Sequence, residues 1–254
     1  MKIRLGLLTA ALLSIGSYAS AQDSPENYHL EAGLMFWKPS PDIVITSGTL
    51  GTPVDFIKTF AVEDKRFREF RVVVKGGKHK VRYSTEDIKY DATATLTQVI
   101  RFRGQSYTVG VPTTAELNWK LRRIGYEYDP LSTARGFLGL FVDLKYNTID
   151  AQLSAPGIVT QIFERSIPVP TVGGIGRGYL SQYISVTGEL TGLKISRSDF
   201  VARFWDFDLY GTANFGRSAG VQFGYRSVTV NYDIEADVGD LKLKGPYFGA
   251  LLRF

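Results

Sequence analysis

Cysteine is absent from the 254 residues and histidine occurs only twice. The first absence removes disulfides, a thiol nucleophile and cysteine-ligated metals. The second leaves little for a histidine-dependent active site. Long apolar runs are also missing once the N-terminus is set aside. Met1 to Ala21 carries Lys2 and Arg4, then Leu5 to Ile15, then Ala19-Ser20-Ala21, the order of a secretory signal peptide cleaved after Ala21. Its removal leaves residues 22–254 as one domain. It also takes away two positive charges and no negative ones, so the net charge falls from +5 to +3. A charge that small, with no Lys/Arg cluster, argues against a nucleic-acid partner. In the remainder the longest stretches free of charge, Ile43 to Val54 and Gly104 to Ala115, have twelve residues each. A membrane-spanning helix needs about 20 apolar residues, so none is expected.

What the chain has in quantity is aromatic residues, 13%, and strict alternation. Tyr28, Leu30, Ala32, Leu34 and Phe36 share one face of an extended segment. Leu138, Leu140, Val142, Leu144 and Tyr146 share one face of another. Period two over five or more residues marks a half-buried strand. Ten such segments recur, so an all-β fold of ten strands is expected, with eight or twelve as alternatives. Several change phase midway, at Arg122-Arg123, Arg226-Ser227 and Gly245-Pro246, and each slip is read as a β-bulge.

The connections sort by length. Gly76-Gly77, Pro130 to Ala134, Ser181-Gln182 and Gly216 to Ala219 are short. Lys38 to Arg66, Asp91 to Glu116 and Ala151 to Pro168 are long. Short turns at one end and long loops at the other, with an even strand count, describe a transmembrane antiparallel up-and-down barrel of the bacterial outer membrane. A soluble sandwich offers no reason for that sorting.

Parity places charges of both signs on the less apolar face. Glu31, Arg71, Arg82, Glu86, Arg123 and Glu127 fall there in the first half, and Asp143, Lys145, Arg177, Glu189, Asp206, Asp208 and Arg226 in the second. Arg122, Glu69 and Arg253 fall there too. A small barrel has a polar interior, and mixed signs predict an interlocked network that plugs the lumen. Aromatic belts are expected at Tyr28, Tyr126, Tyr128, Phe215 and Phe254 on one rim, and at Phe36, Trp119, Tyr146, Trp205 and Tyr232 on the other. In the first long loop Phe56, Ile57 and Phe60 would share one side of a helical turn, with Pro53 and Asp55 at its start. That pattern reads as a lid over the barrel mouth, or as the rim of an apolar binding site.

Two motifs carry a family likeness. The last ten residues, Gly245 to Phe254, resemble the terminal strand of outer-membrane proteins, with Phe248, Leu252 and the final Phe254 in alternation. In that family the motif is read by the outer-membrane insertion machinery. Gly51 to Phe56, followed by Phe60, Val62, Glu63 and Asp64, and Leu121 to Tyr128, are similar to segments of a group of functionally uncharacterised small outer-membrane barrels. The resemblance implies the fold; outer-membrane lipid and lipopolysaccharide are the expected surroundings, and a monomer is expected. It implies no activity.

Enzymes of the same architecture set the contrary case. Omptin-type proteases place an Asp pair and an Asp-His pair at the outer rim. Here Asp206 and Asp208 lie two apart, but His29 and His79 are both assigned to the opposite end. Gly173 to Gly178 precedes no helical pattern, so it reads as strand and not as a phosphate loop. The sequence therefore predicts no catalytic, cofactor or metal site. It predicts a barrel with a plugged, salt-bridged lumen and a structural or surface-interaction role. Uptake or binding of a small apolar molecule is the alternative, and a hydrolase the weaker third.

Overall fold

The computed structural model describes residues 26–48, 50–197, 200–234 and 236–254; the signal-peptide segment lies outside them. After Glu26 to His29 come β1 (Leu30–Trp37), β2 (Ser40–Ser47), β3 (Val54–Asp55), the short helix α1 (Phe56–Phe60), β4 (Phe67–Gly76) and β5 (His79–Thr95). A small hairpin follows, β6 (Ile100–Phe102) with β7 (Gln105–Tyr107). The remaining strands are β8 (Pro112–Thr133), β9 (Gly136–Ala155), β10 (Ile158–Ser181), β11 (Ile184–Arg197), β12 (Phe200–Phe215), β13 (Ala219–Ile234) and β14 (Asp237–Arg253). Ten of them close a ring, in the order β1, β4, β5, β8, β9, β10, β11, β12, β13, β14 and back to β1. Every pairing is antiparallel, and Phe36 and Phe248 stack across the closing seam with ring centroids 5.3 Å apart. Closure gives every strand of the ring a partner on both sides, as a lipid environment demands.

The turns at the lower rim, taken as the periplasmic end, are tight. Gly77 adopts φ 64° between β4 and β5, a left-handed conformation that glycine reaches without steric cost. The upper connections differ from the long irregular loops expected. Ala151 to Pro168 is almost all strand, since β9 and β10 continue to a turn at Pro156-Gly157. The Lys38 to Arg66 stretch holds β2, which prolongs β1 along the upper part of β14, then β3 and α1. These strands overshoot the roughly ten residues that a tilted transmembrane strand needs.

Parity never breaks where bulges were expected. Glu86 to Arg82 face Leu121 to Gly125 without a slip, and Arg226 and Ser227 face Gly245 and Lys244 in continuous register. The apolar set changes face instead. On β9, Leu138, Leu140, Val142, Leu144 and Tyr146 point outward and are exposed, while Phe141, Asp143 and Lys145 point inward. Higher on the same strand Ile149, Ala151 and Leu153 point inward, and the outward positions are Thr148, Asp150 and Gln152. β5, β8, β13 and β14 switch at matching heights. The lower half is dressed for lipid and the upper half for water. Two corrections to the aromatic belts follow. Trp119 and Tyr232 are inward and buried in the upper core, and Tyr28 is buried beneath the lower lumen. Arg122 is outward and pairs with Asp87 at 2.7 Å.

Candidate functional site: the filled lumen

The lumen is occupied at three levels. At the top, the Asp55 carboxylate caps α1, accepting from the Ile57 and Lys58 backbone N–H groups at 3.0 and 2.9 Å. Burial opposes the charge on Asp55, but those bonds and the Lys58 ammonium outweigh it and hold the carboxyl below its ordinary range. The cap turns Phe56 and Phe60 down into the barrel, where both are buried with ring centroids 6.2 Å apart, and Ile57 packs partly buried beside them. A second closing element was not anticipated. The β6–β7 hairpin folds inward, burying Leu96, Ile100, Phe102 and Tyr107, and the Tyr107 hydroxyl donates to the Leu153 carbonyl at 2.8 Å. The two loops are bonded to each other. Thr52 N–H donates to Arg101 O at 2.9 Å, Arg101 N–H to Thr52 Oγ1 at 3.1 Å, and Arg103 N–H to Ser47 O at 3.2 Å.

Beneath this apolar plug lies the charge network. Arg226 is its hub, donating to Asp206 Oδ1 and Oδ2 at 3.0 Å each, to Glu69 at 3.2 Å and to Glu86 at 3.1 Å. Its guanidinium sits 5.2 Å from the ring centre of Trp37, on the underside of the plug. Lys145 donates to Asp206 and to Thr191, both at 2.7 Å. Arg71 joins Glu69 to Asp208, whose other oxygen accepts from the Tyr247 hydroxyl at 2.8 Å. A second knot centres on Glu189, held at 2.6 Å by both Arg82 and Arg123. From it Arg82 reaches Glu127 and Arg123 reaches Asp143. Lys80 closes the chain onto Glu127 and Asp129.

The bottom level comes from the segment that precedes β1. Glu26 is buried inside the lower rim, bound by Arg177 at 2.8 Å and the Tyr179 hydroxyl at 2.5 Å, and its carbonyl accepts from Lys75. Tyr28 lies beside it, 5.3 Å from the Arg253 guanidinium, which in turn pairs with Glu31 at 2.7 Å. All thirteen residues assigned to the lumen network by parity therefore face the lumen and make an ion pair. Glu26, Lys80 and Asp129 were not assigned. Lys80 shares the parity of Arg82 and Glu86, so the signal was present; Glu26 precedes any strand and had none.

Buried charges are tolerated only when paired, and losing one partner is costly. The network therefore ties the strands of the ring to one another across the lumen. Asp206 and Asp208 are saturated by cations and a phenol and lie below the apolar plug, away from the outer rim. His79 meets Tyr126 at 2.5 Å and His29 the Lys75 carbonyl at 3.4 Å, both at the lower rim. No group of His, Cys, Asp and Glu suited to a metal occurs among the described residues. The residual lower cavity, near Glu31, Met35 and Arg71, has a volume of about 40 Å³, room for a few waters. Phe248, Leu252 and Phe254 point outward from β14 into the lipid-facing band.

The solved outer-membrane protease OmpT of Escherichia coli superposes with a TM-score of 0.59 over 92% of this chain and 99% of that one, at 8% identity. The fold is that of an outer-membrane β-barrel. The P. putida toluene transporter TodX covers 89% of this chain and 90% of its own at 9% identity, but its TM-score of 0.36 gives it no weight. No family model and no curated protein matches. No described helix is long and apolar enough to cross a membrane, and the barrel crosses the outer membrane with its strands. At 8% identity the likeness to a protease extends to the fold alone.

Proposed function

We propose that the protein is a non-enzymatic, closed barrel of the outer membrane with a structural or surface-interaction role, anchored by its lower half and presenting its upper half outside the cell. One observation carries this reading: the lumen is filled at every level, by Phe56, Phe60, Phe102 and Tyr107 above, the Arg226 network in the middle, and Glu26 with Tyr28 below. A path for ions would have to part all three. Recording the purified protein in planar bilayers tests it. The expected result is rare or no conductance at low voltage, and steady channels open most of the time would overturn it. Passage of a small apolar molecule along the axis meets the same obstruction. Binding of such a molecule beside the lumen does not, and an apolar cavity in the upper wall favours that second reading.

A further inference from the structure

The ring is not zipped to the same height everywhere. The β10–β11 ladder ends at Val172 opposite Gly192. Above that level Pro168 and Pro170 of β10 pair with Tyr146 and Leu144 of β9, whereas Leu193 and Ile195 of β11 pair with Phe204 and Ala202 of β12. No pairing joins the two strands there among the described residues. Proline lacks a donor for the ladder and sits on open edges, so Pro168 and Pro170 suit a seam that stays unzipped. Trp205, paired with Gly192, marks its foot on one side, and Tyr146, paired with Pro168, stands four residues above the foot on the other; both point outward. The Trp205 indole packs against Gly192, where a Cβ would come within 2.4 Å of the ring.

Behind the seam is a cavity of about 50 Å³, walled by Val169, Leu193, Ile195, Phe204, Val230 and Ile234 and reaching out to both prolines. In front of it Lys194 and Arg203 stand directly opposite each other on the outer face, both exposed and without an ion-pair partner among the described residues. Asn231, across from Arg203 on β13, gives its amide to Asp240 and supplies no negative charge. Like charges in direct cross-strand opposition destabilise a sheet. Such a pair gains from an anion lying between its members.

We propose that this seam binds an anionic amphiphile, its alkyl chain lying along the unzipped edge between β10 and β11 with a short stretch of it in the apolar cavity, and its carboxylate or phosphate resting between Lys194 and Arg203. The proposal deepens the second functional reading and is independent of conductance, since the chain enters from the side and the axis stays closed. A lipid phosphate of the outer leaflet and a free fatty carboxylate share this chemistry.

The full-length barrel in phosphatidylcholine vesicles, titrated with 12-bromododecanoate, tests it through quenching of Trp205. Saturable quenching is expected, lost in Trp205→Phe. Affinity should fall about tenfold, the equivalent of 1.4 kcal/mol, in Lys194→Ser/Arg203→Ser and in Val169→Phe. Uncharged 12-bromododecanol should ignore the charge substitutions and still respond to Val169→Phe. Displacement by lipid A in the vesicles would make the bilayer the source of the ligand. Displacement by added dodecyl phosphate alone would make it a free amphiphile. Non-saturable quenching, equal in the parent and in the charge variant, is simple partitioning and overturns the proposal even if Val169→Phe fails to fold. Channel activity would overturn the closed-lumen reading and leave this one standing.

Discussion

The lower and upper halves of the barrel share strands, register and parity, yet they are dressed in opposite ways. On β13, Val221, Phe223 and Tyr225 point out below while Gln222 and Arg226 point in; above, Asn231 and Asp233 point out while Val228, Val230 and Tyr232 point in. The backbone does nothing different at the crossover. Only the solvent changes. Below, lipid takes the apolar face and charges must satisfy one another inside. Above, water takes the polar face and the interior packs like that of a soluble protein. The Arg226 hub lies at the boundary, with its guanidinium against Trp37 on one side and three carboxylates on the other.

The sharpest way to break the comparison is to damage each interior in its own manner. Arg226→Met strands Asp206, Glu69 and Glu86 and should cost about 3–5 kcal/mol, read as lowered resistance of the folded band to urea or heat. Phe60→Ala should cost a similar amount, about 3–5 kcal/mol, by opening a cavity in the plug. The symptoms should differ. Phe60→Ala, and more so Phe56→Ser with Phe60→Ser, should expose the upper loops to protease and raise leak conductance while the transmembrane part stays folded.

Outward positions supply the next test. Val142→Arg puts a charge into the lipid-facing band and should cost about 2–4 kcal/mol. Thr148→Arg, on the same face of the same strand six residues higher, should lie within about 0.5 kcal/mol of the parent. Equal costs would mean that the crossover is misplaced.

The smallest effect belongs to the lid. Asp55→Ala removes the α1 cap and should cost about 1 kcal/mol. Because the folded carboxyl is held below its ordinary 3.8, the cap contributes in full above about pH 4. It is lost as the pH falls through the lower folded value, so lid protection against protease should decline only in that acidic range. In Asp55→Ala that acidic step should vanish.

Most of the barrel was legible because alternation survives along every strand: the ten-strand ring and the thirteen charges of the lumen network follow from parity. The bulges expected at Arg122-Arg123, Arg226-Ser227 and Gly245-Pro246 did not follow, because a change of apolar phase has two causes, an extra residue or a new solvent. Reading one solvent along the whole strand forces the first. The same assumption placed Trp119 and Tyr232 in an interfacial belt and Arg122 in the lumen. It also made the polar outer faces of upper β9 and β10 look like loop. The β6–β7 plug was hidden because Ile100, Phe102 and Tyr107 are too few and too near Gly104 to show a period. The seam depended on long-range pairing that no local pattern reports.

The crossover can be measured directly, since a chain without cysteine accepts single cysteines free of background. Spin labels at Leu138, Leu140, Val142, Leu144, Tyr146, Thr148, Asp150 and Gln152 sample the outer face of β9 in reconstituted bilayers. Accessibility to oxygen should dominate through Tyr146, and accessibility to a water-soluble nickel chelate should dominate from Thr148 upward. Oxygen dominance continuing to Gln152, or chelate dominance beginning at Leu138, would contradict a barrel divided between lipid and water at that height.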